Sequence, residues 1–169
     1  MCRIFIFICH IFAEAAITFA EKILDMVEVI NQIPGYENGR VKRINASELS
    51  APIIVAETAI DLRDKWNTKV LCLSLDERKE LIESFVMNNG THANAIETIV
   101  LNQKNPDVSV VIKKVCGLIH RKFVRAVIIS GAERLRLKQP SSDEKDIINR
   151  WLERMSKTES IPIVLVETV

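Results

Sequence analysis

"VRAVIISGAERLRLK", residues 124–138, is the stretch on which the reading of the chain turns. From Val124 to Ile129 it is apolar except for Arg125 and rich in branched side chains, the pattern of a strand buried on both faces. The run then breaks at Ser130-Gly131, and charge follows at once in Glu133, Arg134, Arg136 and Lys138. A buried strand that leaves its sheet through a hydroxyl and a glycine raises the question of what those two residues do there.

Three other stretches have the same apolar, branched character: "APIIVAE" (51–57), "KVLCLSL" (69–75) and "IPIVLVETV" (161–169). Each reads as a strand. Between them the spacing changes to that of helices. Ile17, Ala20, Ile23, Leu24, Val27 and Ile30 recur at helical intervals, giving a helix, or a helix ending in a strand, over 13–30. Residues 76–88 start with an acid suited to capping free amides and place Leu81, Ile82, Phe85 and Val86 on one face. A helix is also expected over 93–101, another over 108–119, and a last one from Ser141 with Ile147, Ile148, Trp151, Leu152 and Met155 as its inner stripe. Strands without alternation, separated by helices, imply a three-layer α/β fold with a mostly parallel sheet. Ligands in such folds bind beyond the carboxyl ends of the strands, which directs attention to the segments after 57, 75, 129 and 167.

A chain of 169 residues with 48% hydrophobic content is expected to form one α/β domain over 1–169. Residues 1–30 read as an N-terminal helical or leader extension. The apolar stretch Ile4–Phe12 suits a buried strand or helix, or a targeting or membrane-surface segment, while Glu14 and Glu21 interrupt it before the length of a membrane span. With 23 basic and 22 acidic residues, no global field favours nucleic acid or an anionic membrane, so any such binding is local. Cys2, Cys9, Cys72 and Cys116 show no C-x-x-C pair and read as reduced thiols of a cytoplasmic protein.

The last third resembles the AAA+ P-loop ATPases that accompany DNA transposases, the ATP-binding subunits that pair with an integrase-type recombinase. The resemblance lies over residues 125–168. Ile128 to Leu135 matches the strand and exit that carry the family's acidic pair, Ile148-Asn149-Arg150-Trp151-Leu152 matches the following helix, and Ile161 to Thr168 matches the "IPIVLV" strand. The same strand, helix and strand also suit a receiver-like regulatory module. The family's chemistry implies a glycine-rich loop with Lys and Ser or Thr around the phosphates and magnesium, an Asp on the metal, and a Glu that orients water. Here the metal position falls on Ser130 and the catalytic acid on Gly131, and Thr168 matches the polar residue that senses the γ-phosphate.

The nearest phosphate loop is Gly35-Tyr36-Glu37-Asn38-Gly39-Arg40-Val41, read as lying between a strand and a helix; it is one residue short, with Arg for the lysine and Val for the hydroxyl residue. The nucleotide-binding set is therefore Gly35, Gly39, Arg40, Ser130 and Thr168, with ATP and magnesium as cofactors only if this loop works. No catalytic residue is assigned. Arg121, Lys122, Arg125, Arg134, Arg136 and Lys138 form a basic cluster that, on one shared rim, would meet phosphates of DNA or an acidic partner. His10, His92 and His120 show no metal-ligand spacing, and Asp61, Asp64, Asp76 and Glu77 read as caps or helix-face charges. The expected function is that of a non-catalytic, truncated ATPase-like protein acting through contacts with a recombinase or a full-length ATPase in transposition or recombination. The alternatives are a receiver-like interaction module and a weak ATP-binding fragment.

Overall fold

Five parallel strands form one sheet in the order β1-β5-β4-β2-β3. The computed structural model of the protein describes residues 39–67, 69–89, 95–101 and 103–169. Along the chain run β1 (Val41–Ala46), α1 (Ala51–Trp66), β2 (Lys69–Ser74), α2 (Lys79–Asn89), β3 (Ile96–Val100), α3 (Val108–Lys122), β4 (Val124–Ser130), a 3-10 turn (Ala132–Arg134), α4 (Glu144–Glu159) and β5 (Ile163–Thr168). The expected α/β class with a parallel sheet is what the chain adopts.

The two sheet faces are divided by the pleat. Leu71, Leu73, Val127, Ile129, Ile163 and Leu165 pack in one cluster with Val111, Val115 and Ile119 of α3 and Ile148, Leu152 and Met155 of α4. The intervening Val70, Cys72, Ala126, Ile128, Val164 and Val166 are buried too, and alternation turns them to the layer in which α1 packs on α2. Connections into α1 and α2 carry the chain one way along the sheet and those through α3 and α4 carry it back, so right-handed crossovers set the two helix pairs on opposite faces. This is why the central strands lack alternation. A fully buried Leu or Ile is worth roughly 1.5–3 kcal/mol, and each central strand contributes several.

Four expectations are corrected. "APIIVAE" opens α1 rather than a strand: Pro52 sits in the first turn, where its missing N–H costs nothing, and Ala51, Ile54, Val55, Ala59 and Leu62 are buried. Residues 41–46, taken for the start of a helix, are the edge strand β1, paired with β5 from Val41↔Ile163 to Ala46↔Thr168. Residues 96–100 form the opposite edge strand, not a helix; Ile96 and Thr98 are buried while Glu97 faces out, within 4.0 Å of Lys69 Nζ and 3.5 Å of Lys122 Nζ. In α4 the inner stripe is Ile148, Leu152 and Met155, and Trp151 is 44% exposed. The stretch 1–38, with its leader reading, Cys2, Cys9 and His10, lies outside the described residues, as does His92.

Candidate functional site at the carboxyl ends of β2 and β4

Neighbouring strands β4 and β2 send their chains to opposite helix layers, which opens the crevice where ligands bind in folds of this kind. Ser74 ends β2 and Ser130 ends β4, and the two are direct partners across the ladder. Both hydroxyls donate to one carboxylate: Ser74 Oγ to Asp76 Oδ1 at 2.7 Å and Ser130 Oγ to Asp76 Oδ2 at 2.9 Å. The guanidinium of Arg78 lies 3.6 Å from Oδ2, and only 1% of the Asp76 side chain is exposed. Ser74 Oγ also accepts from the Arg78 amide at 3.1 Å, so the start of α2 is tied to the same cluster.

This answers the question raised by Ser130-Gly131. Gly131 has φ +75°, and a Cβ there would stand 2.9 Å from Asp76 Cβ. Glycine supplies the left-handed turn and the room for Asp76, and serine supplies a donor for it. The chain keeps a buried carboxylate at the carboxyl edge, but β2 delivers it and β4 receives it. Asp76 is thus not a cap of α2, whose first residue is Lys79.

Magnesium does not fit this group. Both Asp76 oxygens already accept from hydroxyls, and the Arg78 cation lies 3.6 Å from Oδ2, so the carboxylate's charge is already balanced. Among the described residues no three His, Cys, Asp or Glu side chains gather to hold an ion. Around the cluster the remaining polar groups are also paired. Arg78 Nη1 donates to Thr168 Oγ1 at 3.4 Å, Thr168 N donates to Glu133 Oε2 at 3.0 Å, and Arg134 Nη1 donates to Leu75 O at 3.1 Å. Arg43 on β1 pairs with Glu167 and Asn149 on the other face.

The nucleotide-binding set does not come together. Gly39 N donates to Ile161 O at 3.3 Å and Arg40 O accepts from Ile163 N at 3.1 Å, which fixes both at the amino end of β5. Ser130 and Thr168 lie at the carboxyl ends of β4 and β5. Gly39 and Arg40 therefore precede β1 at the amino end of the sheet, on the wrong edge for phosphates held between a strand and a helix; residues 35–38 of the loop lie outside the described residues. The segment that does link β1 to α1 is Ser47-Glu48-Leu49-Ser50, without glycine or lysine. Its serines close on each other, with Ser47 N to Ser50 Oγ at 2.9 Å and the two hydroxyls 2.8 Å apart.

The single basic rim is likewise two clusters. Arg121, Lys122 and Arg125 flank the start of β4, whereas Arg134, Arg136 and Lys138 follow its end, roughly 20 Å away along a strand rising about 3.3 Å per residue. Lys122 is paired with Glu97, and Arg136 donates to the carbonyls of Glu133 and Leu135. His120 is exposed and sits 3.2 Å from Glu159. Sequence reading missed the Asp76–Arg78 pair and the Arg43 bridge. The available signal was Gly131, since a glycine directly after a buried strand marks a close backbone approach.

Fold and site together define a three-layer α/β protein with a five-stranded parallel sheet, a crevice at the ends of β2 and β4 held by an internal polar cluster, and a β1–α1 connection without glycine or lysine. Comparison with known proteins bears on the fold. No family model and no curated relative matches. Among solved structures the chain is similar to a DnaB-like replicative helicase, described with its interactions with primase, at TM-score 0.61 and 16% identity. That likeness covers 80% of this chain and 40% of the helicase chain, and at such identity it speaks for the fold alone. Among the described residues no helix is long and apolar enough to cross a membrane.

Proposed function

We propose that this chain is a non-catalytic cytoplasmic protein of ATPase-like fold that works through protein contacts. The observation that supports the reading is the state of the crevice: Asp76 at the strand ends is engaged by Ser74, Ser130 and Arg78, not left open to a metal-bound nucleotide. The Ser47–Ser50 knot supports it, because the β1–α1 connection offers phosphate no run of free amides and no lysine. The partner is a recombinase or a full-length ATPase, in transposition or recombination. Weak DNA contact is the smaller part of the reading and falls to the two basic clusters separately.

The test is direct titration with ATP and magnesium, by calorimetry for binding and by phosphate release for turnover. The expected outcome is no saturable binding up to about 1 mM, the upper range for working enzymes, and no phosphate above the blank. Saturable binding below that concentration, abolished by Gly39→Asp, would restore the loop at 35–41 and overturn the reading.

A further inference from the structure

The geometry points to the groove between α3 and α4 as the docking site for an acidic amphipathic helix of a protein partner. This deepens the protein-contact reading and rests on it. The groove has a volume of about 290 Å³ and is lined by Ile112 and Cys116 of α3 and by Trp151, Arg154, Met155 and Thr158 of α4, with Glu159 at one end. Helical spacing explains its shape. Ile112 and Cys116 are one turn apart on the flank of α3, beside the buried Val111, Val115 and Ile119; Trp151, Arg154 and Thr158 follow each other along the facing flank of α4. Trp151 was placed in the core stripe by its sequence, yet its ring is 44% exposed over this groove. A large indole beside a cleft of aliphatic and sulfur atoms is the anchor composition that buries well against a helix.

Charge fixes the class of occupant. Across Val108–Lys122, α3 carries Lys113, Lys114, Arg121 and Lys122 and no acid. Arg154 lines the groove from α4, and Lys113 directly follows the groove residue Ile112 on α3; both are exposed, and among the described residues neither has a carboxylate partner. The one acid that lines the groove, Glu159, is already engaged: His120 Nε2 lies 3.2 Å from it. The rim is thus positive and unpaired over an apolar floor. An acidic helix with apolar residues at three- and four-residue spacing complements both, whereas a basic helix meets two unscreened cations.

The probe is a fluorescein-labelled peptide of about 18 residues, five helical turns, with Leu at helical spacing and Glu elsewhere, titrated against the full chain by anisotropy. A second peptide has Lys for every Glu, and a duplex of about 20 base pairs serves as competitor. The acidic peptide is expected to bind at least about tenfold tighter than the basic one, and Trp151→Ala to weaken it about tenfold while Trp151→Phe retains most of the affinity. Lys113→Glu with Arg154→Glu is expected to reverse the preference between peptides. These are exposed positions, so melting temperature should hold. Equal binding of the two peptides, or binding indifferent to both sets of variants, overturns the proposal. So does displacement by the duplex with the same residues required, which makes the surface a nucleic-acid site. Inert groove variants in a protein that binds no nucleotide sink the groove alone; saturable ATP binding sinks the protein-contact reading whatever the peptides do.

Discussion

The crevice between β2 and β4 and the groove between α3 and α4 face opposite fates in one small fold. In the crevice the polar groups are many and their partners are internal: two buried hydroxyls donate to one buried carboxylate, and the partly exposed Arg78 guanidinium lies beside it. In the groove the surface is mostly apolar, and neither its lining cation Arg154 nor the adjacent Lys113 has a carboxylate partner among the described residues. A buried polar cluster that is complete leaves nothing for a ligand to satisfy. An open apolar cleft with an exposed indole gains by being covered. Among the described residues the surface left open for a partner in our proposal therefore lies on a helix face, away from the strand ends where the fold class usually keeps it.

The sharpest way to break this contrast is to restore the acid that β4 lacks. Ser130→Asp puts a second carboxylate against Asp76 Oδ2, now 2.9 Å from the serine oxygen, in a site with one nearby cation. Two like charges that close cannot both ionise without a heavy cost, so a loss of about 3–5 kcal/mol is expected in urea unfolding at pH 7. Ser130→Asp with Asp76→Ser returns one carboxylate to the cluster and should recover much of it. Gly131→Val is expected to cost about 3 kcal/mol through backbone strain and the 2.9 Å approach to Asp76. A stable Ser130→Asp protein that binds magnesium would show the crevice to be a disabled metal site, not a structural knot.

Two thiols sharpen the comparison kinetically. Cys72 lies on β2 two residues before Ser74, wholly buried, and burial pushes its pKa up to about 12. At pH 8 only about one molecule in 10,000 then holds the reactive thiolate, before access is considered. Cys116 lines the open groove, and its pKa is raised by burial first and by Glu159 second. Iodoacetamide followed by mass spectrometry should label Cys116 in the native protein and Cys72 only as fast as the chain unfolds. Equal native rates would mean that the sheet is not closed on the α1 side.

How much of this could be read in the sequence depends on where each residue gets its partners. β2, β4 and β5 were legible because strands covered on both faces need apolar residues at every position, and α3 and the body of α4 because one face alone is buried. The start of α1 was not, because a helix enclosed by α2 and the sheet loses its polar face and imitates a strand over seven residues; only Pro52 and the continuing apolar spacing to Leu62 separate the two. Both edge strands escaped as well. "VKRINA" and "IETIV" have one neighbour each and keep charged residues that a central strand rejects. In the site, Ser130 and Gly131 stood out at once, but Asp76 is 54 residues away in the chain and pairs with Ser130 only because β2 and β4 are neighbours. The groove was hidden by Trp151, whose spacing matches the core stripe while its ring sits just past the edge of that stripe.

The smallest expected effect comes from a carboxylate of α1 that lacks what Asp76 has. Glu57 on α1 has a buried Oε2 with no hydrogen-bond partner, and burial raises its pKa above the ordinary 4.5. An acid whose folded pKa lies above its unfolded value binds more protons in the native state between the two values, so its contribution to stability falls as pH rises through that window and stays lost above it. Glu57→Gln removes the charge but keeps the shape. The variant should therefore melt slightly higher than the parent at pH 7 and at the same temperature near pH 3, where both side chains are neutral. Glu57 is partly solvated, so screening limits the gain to about 0.5 kcal/mol or less. The contrast with Asp76 makes the measurement informative: Asp76→Asn at the same pH should lower stability, because there the charge has two hydroxyls and a guanidinium built around it. Opposite signs for two acid-to-amide changes in one chain would separate a carboxylate that the fold holds from one that it only tolerates.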